Sequence, residues 1–281
     1  MIATIIAVIL RILSNPIANM FQKKLSVSAL FTNFYSYLFM SFGCLPFIFK
    51  VDWTAFSSEF WVYVFIAGFL CSAGTACSIK AIQIGELSVL GPINSYKSVI
   101  GLIIAFLFLN EIPSIRGLIG MFLIIFGSRF IFDAAGSGFS FSVFKRKDIR
   151  LRFASILMTG IEAVILKKII LLSSVQVSFY LWCLMGCLYS LIFILVSKHE
   201  FVTVSKEQIP YYAAICLELA TMQLTTNFVF ERINVGYALA FFQLSTVVTL
   251  FFGIKFFKEK NFARKLLGSL IMIIGSVLII L

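Results

Sequence analysis

The sequence predicts an all-α integral membrane protein, with ten transmembrane helices arranged as two inverted five-helix repeats. Three observations lead there. Of the 281 residues 61% are hydrophobic and only 12% charged, with a mean hydropathy of +1.05, which lies outside the range of water-soluble domains. A hydrocarbon layer about 30 Å thick takes roughly 20 apolar residues per helical crossing, so a chain this long and this apolar holds about ten crossings with short connections. The third observation is internal similarity between the two halves, set out below.

Apolar runs between polar or charged breaks define the spans in order: 2–21, 28–49, 60–79, 86–109 and 114–133, then 151–172, 175–197, 209–230, 235–256 and 263–281. Residues 134–150 have linker character, with Gly136-Ser137-Gly138 followed by Lys145-Arg146-Lys147. They separate a first five-helix repeat (1–133) from a second (151–281). Ile2 to Leu10 imitates the apolar part of a signal peptide, but no basic residue precedes it and nine spans follow, so it reads as the first helix.

Several classes are excluded at this level. Spans occupy almost the whole chain, which leaves no room for a soluble catalytic, nucleotide-binding or DNA-binding domain. The net charge of +11 therefore belongs to loops, and nucleic acid is not expected as a partner. The six cysteines lie in apolar stretches with no C-x-x-C pair and no histidine beside them, and read as packing residues rather than metal ligands. No catalytic residue, metal site or cofactor is expected.

Sliding the second half back by 148 positions superposes ten identities within residues 99–128, among them Glu111 on Glu259, Arg116 on Arg264, Gly120 on Gly268 and Gly127 on Gly275. Lys23-Lys24 matches Lys167-Lys168 at an offset of 144. Five spans per half is odd, so the second copy must enter the membrane from the opposite side, as in alternating-access transporters. The doubled Glu-x4-Arg-x3-Gly-x6-Gly pattern, with Pro92 and Leu109-Asn110-Glu111-Ile112-Pro113 ahead of Gly117, resembles the ten-span EamA-like branch of the drug/metabolite transporter superfamily. The resemblance implies a secondary transporter of small metabolites, with substrate held between the halves by spans one, three, four, six, eight and nine.

Glu111 with Arg116, and Glu259 with Arg264, stand at span ends, where a carboxylate and a guanidinium can pair and fix a tight hairpin. Structural anchoring is the leading reading of these four, a direct transport role the other. The paired glycines recur every seven residues and read as close helix packing. Four ionisable groups fall near the middle of spans, Arg11, Lys97, Glu162 and Glu218, at about 2.5–3.5 kcal/mol each on the lenient insertion scale. They are expected to face a cavity, either touching substrate or locked in internal pairs.

Span four carries Asn94, Ser95 and Ser98 beside Lys97, and Pro92 there removes a backbone donor and predicts a kink. In span one, Pro16 predicts the same beside Arg11 and Asn15, with Gly160 at the equivalent place in span six. In span nine Gln243 and Thr246 align with Ser95 and Ser98. Arg11, Asn15, Asn94, Ser95, Lys97, Ser98, Glu218, Gln243 and Thr246 are therefore the expected substrate contacts, and Glu162 the expected proton-coupling group. Ser72, Thr75 and Ser78 of span three are expected to bond back to their own helix. Trp53, Trp61, Tyr211 and Tyr212 read as interfacial anchors, and Tyr35, Tyr96, Tyr180 and Trp182 as cavity-lining.

Function reads as secondary transport of a small polar metabolite, coupled to protons or running as exchange. Two cations against two carboxylates favour an amino acid or related zwitterion; a sugar, nucleotide sugar or nucleoside is the alternative. A lipid-modifying membrane enzyme and a purely structural subunit are remote, since the one histidine, His199, lies in a loop and neither class explains four charges at mid-span. Substrate, lipid bilayer and protons are the expected partners, in a monomer or weak homodimer of a bacterial inner (plasma) membrane. Lys and Arg number five on the side of the termini and fifteen opposite, which puts both termini outside the cytoplasm; the family resemblance implies the reverse.

Overall fold

The computed structural model describes residues 2–100, 103, 114–136, 141–198 and 200–280, and every regular element among them is helical. The long helices are α1 (Ile2–Lys24), α2 (Ala29–Ile48) and α3 (Ser58–Ile84), then α4 (Leu87–Ile93), α5 (Ile115–Ala134), α6 (Lys147–Leu172), α7 (Val175–Val196), α8 (Ile209–Arg232), α9 (Val235–Phe242), α10 (Ser245–Phe257) and α11 (Phe262–Ile280). Hydrocarbon offers backbone N–H and C=O groups no partner, so segments this apolar close their hydrogen bonds within themselves. Serine hydroxyls cap three starts: Ser57, Ser114 and Ser174 accept from the N–H of Phe60, Gly117 and Val177.

Seven of the described helical stretches are long and apolar enough to cross a membrane: α1, α3, α5, α7, the 206–232 stretch ending in α8, the α9–α10 pair and α11. α6 carries Glu162, Lys167 and Lys168 within its apolar part, and span four runs into residues outside the description. α6 begins at Lys147 rather than at 151, with Asp148 in its first turn, where a carboxylate suits the positive end of the helix.

At Pro16 the helix is not broken: α1 runs through it, and α6 through Gly160. Neighbouring helices supply the support that lets a proline stay inside a membrane helix. Breaks fall instead in spans four and nine. α4 ends at Ile93, residues 94–95 form a turn and helix resumes at 96; α9 ends at Phe242 and α10 starts at Ser245. Span nine breaks with Ala240 where span four has Pro92, so proline is not required.

The largest helix contacts are α5 with α11, α3 with α6, α1 with α8 and α2 with α7, and α4 lies against α10. In the α5–α11 contact the expected glycine packing is realised backbone to backbone, Gly120 against the carbonyl of Gly275 and Gly127 against that of Gly268. Lys23 donates to the carbonyl of Gly85, the residue closing α3, and Lys167 to the carbonyls of Phe230 and Ile233 at the end of α8. The two matched lysines thus do one job, placing a cation on the negative end of a neighbouring helix. Apolar residues that face outward, such as Ile5, Phe65, Phe122 and Ile274, form the lipid-facing coat.

Polar side chains tie the bundle internally. Asn33 donates to the carbonyl of Ser72 at 3.1 Å and to Ser190 Oγ at 2.8 Å, which joins α2, α3 and α7. The hydroxyls of span three therefore bond across helices, contrary to the sequence expectation: Ser72 with Ser190, Thr75 with Tyr37 and Ser78 with Arg152. Tyr212 is buried rather than interfacial, and of the four aromatics expected in the cavity wall only Trp182 lines it.

Candidate functional site: a charged cavity between the halves

A cavity of about 140 Å³ lies at the centre of the bundle. α1 contributes Arg11, Asn15, Asn19 and Gln22, and α6 contributes Arg152, Ser155, Thr159 and Glu162. The turn in span four adds Asn94, with Lys97 just beyond it, and α8 adds Gln223 and Thr226. Leu239 and Phe242 of α9, Thr75 and Ser78 of α3 and Trp182 of α7 complete the wall. The helices implied by the family resemblance supply nearly all of it. Each polar set follows helical spacing, 11, 15, 19 and 22 on α1 and 152, 155, 159 and 162 on α6, so one stripe of each helix faces inward.

The charges differ in how they are held. Arg11 donates from Nε to Thr226 Oγ1 at 2.8 Å and sits 4.9 Å from the ring centre of Phe242, while its buried Nη1 has no hydrogen-bond partner among the described residues. Arg152, 7% exposed, donates from Nε to the Leu90 carbonyl at 3.0 Å and from Nη1 to Ser78 Oγ at 2.7 Å. Glu162 is 8% exposed. Neither Glu162 nor Lys97 makes a hydrogen bond or close ion pair among the described residues, although both face the same cavity.

The two helix breaks face each other and are stitched together by side chains. A turn at 94–95 leaves the last carbonyls of α4 short of helical partners. Leu90 O accepts from Arg152, Gly91 O from the Asn94 N–H at 3.0 Å and from Thr246 Oγ1 at 3.5 Å, and Asn94 O from Gln243 Nε2 at 3.3 Å. Gln243 and Thr246, expected as substrate contacts, are thus engaged by the backbone of span four and lie off the cavity wall.

Ser95 and Ser98 are buried away from that wall too, and Glu218 is half-buried on α8 outside it. The stripe of α8 that lines the cavity runs through Leu219, Gln223, Thr226 and Phe230, and Glu218 sits roughly 100° of helical rotation from its centre, at the flank one turn before Met222. Of the expected substrate contacts, Arg11, Asn15, Asn94 and Lys97 come together, with Glu162 beside them. Arg152 is not among the expected contacts because the expected span 151–172 places it at the helix end, beside the basic linker, rather than at mid-span. The spacing from Arg152 to Ser155, Thr159 and Glu162 was the signal that could have found it. The cavity therefore holds three cations and one carboxylate, not two of each.

At the basic end of the bundle the sequence expectation of a Glu259–Arg264 pair is also corrected. Glu259 accepts from the N–H groups of Leu87 and Ser88 at 2.8 Å each, accepts the Ser88 hydroxyl, and pairs with Lys23 at 3.6 Å. The start of α4 offers free N–H donors and a positive dipole end, a stronger attraction for a carboxylate than an exposed guanidinium. Arg264 and Arg116 are exposed, and Glu111 lies outside the described residues. Lys265, only 1% exposed, joins the same cluster through Glu86 at 2.5 Å and Ser88 Oγ at 2.7 Å.

The described residues form a helical bundle with membrane-spanning helices around a central charged cavity, the architecture of an integral membrane protein. Residues 2–133 and 149–281 each match the EamA-like transporter family, and the chain belongs to that family, whose members carry small molecules across membranes. Among solved structures, a crystal structure titled only as that of a protein matches at a TM-score of 0.65 and 11% identity, over 99% of this chain and 94% of that one. At that identity it shows the fold alone. No curated protein matches the chain.

Proposed function

We propose that this protein is a secondary active transporter of ten spans in two inverted repeats, moving a small polar metabolite by alternating access. The observation that carries the reading is the cavity itself: a charged chamber at the centre of the bundle whose walls come from both halves and include both broken helices. Charges there are costly unless they serve a solute or an ion. The swapped packing of α1 with α8 and α6 with α3, and the self-paired contacts α5–α11, α2–α7 and α4–α10, are what two oppositely oriented copies would make. Rocking of one copy against the other would expose the chamber to each side in turn.

Glu162 is the candidate proton carrier. It is the sole carboxylate among the residues lining the central cavity, and it also lines a second, smaller hollow between α3, α6 and α7. The charge count favours a plasma-membrane orientation with both termini outside the cytoplasm.

Counterflow into liposomes tests the reading. Purified protein, reconstituted and preloaded in turn with unlabelled amino acids, sugars and organic acids, should accelerate uptake of the matching labelled solute, and Glu162→Gln should remove its response to an imposed proton gradient. Absence of counterflow for every solute class would overturn it.

A further inference from the structure

We infer that the solute is a compact organic anion, bound through a carboxylate or phosphate group between Arg11 and Lys97; this rests on the transporter reading above. The cavity wall carries Arg11, Lys97 and Arg152 against Glu162 alone, so with all four ionised two positive charges are left over. Glu218, the second carboxylate the sequence offered for balance, lies off the wall. An excess of cation at membrane depth attracts an anion more strongly than a zwitterion, whose ammonium group would add to the repulsion.

The cations also differ in what they have left to give. Arg152 spends two donors on Leu90 and Ser78 and holds the broken helix. Arg11 is fixed by one donor only: Nε on Thr226 and the ring of Phe242 set the plane of the guanidinium, and Nη1 is buried with no partner. Lys97 offers an ammonium with no hydrogen-bonding or ion-pair partner among the described residues. A guanidinium of fixed plane and an ammonium on the same cavity wall form an arrangement that receives an oxyanion, the first through directed N–H bonds and the second as a point charge.

Asn15, Asn94 and Gln223 add carboxamides to the same wall, able to read hydroxyl or carbonyl groups on the remainder of the molecule. The volume of about 140 Å³ is close to that of an engineered cavity that takes benzene, so the solute in this conformation is of that scale.

The test uses the full chain in detergent and in liposomes, with succinate and glycerol 3-phosphate as anionic probes and alanine and choline as neutral and cationic comparators. Expected are a rise in melting temperature and counterflow with one or both anions and with neither comparator. The responding anion separates carboxylate from phosphate. Arg11→Gln and Lys97→Gln should each weaken the anion response about tenfold or more, the loss of one charge-assisted contact. Arg11→Lys and Lys97→Arg keep the charge and should retain a larger share, which distinguishes lost binding from lost folding. Response to alanine or choline alone would overturn the anion assignment and leave the transporter reading standing. Anion binding without counterflow of any probe would support the site and overturn the transporter reading. Silence of all four probes in both measurements would overturn the anion assignment.

Discussion

Gly120 of α5 and Gly275 of α11 meet backbone to backbone: a Cβ built on either would lie 2.5 Å or 2.6 Å from the other's carbonyl oxygen. Gly127 and Gly268 repeat the contact at 2.8 Å and 2.7 Å. Lipid is as apolar as any side chain, so helices in a membrane gain from close approach rather than from leaving water, and glycine permits the closest.

Gly275→Val should therefore destabilise the protein by about 1–3 kcal/mol or more, the cost of forcing groups into a packed contact. Gly43→Ala, in the interior of α2 with nothing within 4 Å of the new methyl, should be neutral or stabilising by about 0.5–1 kcal/mol. Thermal melting in one detergent compares them; equal melting temperatures would remove the packing role.

Glu259 is expected to hold the basic end closed through α4 and Lys23. Glu259→Gln retains one acceptor and should cost about 1–3 kcal/mol, and Glu259→Ala more, because two backbone donors are left without partners. A cycle with Lys23→Met should show coupling of at least about 0.5 kcal/mol. Simple additivity would mean that Lys23 acts only on the Gly85 carbonyl.

Lys97 and Glu162 are expected to act on each other across the cavity without forming a fixed pair. If they formed a fixed buried pair, either single change, Lys97→Met or Glu162→Gln, would cost about 3–5 kcal/mol and the double change would restore stability. Facing one cavity without a close contact, they should instead cost less singly than a fixed pair and show a partial coupling of about 0.5–2 kcal/mol. Restored stability in the double variant would assign them a structural tie.

Arg152→Met should strand the Leu90 carbonyl and the Ser78 hydroxyl at the break in span four, at about 1–3 kcal/mol. Arg152→Lys recovers one donor and should fall between Met and the native chain, because an ammonium cannot span both acceptors as the guanidinium fork does. Identical melting of all three would show that the break is held by Thr246 and Gln243 alone.

How far these features were legible in the chain follows from their range. The helical membrane class, most span limits, the glycine repeats and the inward placement of Arg11, Asn15, Asn94, Lys97 and Glu162 were readable from the sequence, because hydropathy, spacing and the cost of a charge in hydrocarbon act over one helix at a time. The kink at Pro92 was legible for the same local reason. At Pro16 the helix continues where span four breaks, since neighbouring helices decide whether a proline ends its helix or sits within it.

What only the tertiary structure decided are the choices among partners. Whether Glu259 turns to Arg264 or to the start of α4, whether Gln243 and Thr246 meet a solute or the backbone of span four, and whether Glu218 or Arg152 reaches the cavity depend on how helices distant in sequence are rotated against each other. A rotation of one residue, about 100°, moves a side chain from wall to packing face without altering hydropathy or spacing. The charge balance of the cavity, and with it the sign of the solute, is set by those rotations, because an exchanged carboxylate and guanidinium change the local charge by two while the composition of the chain stays the same.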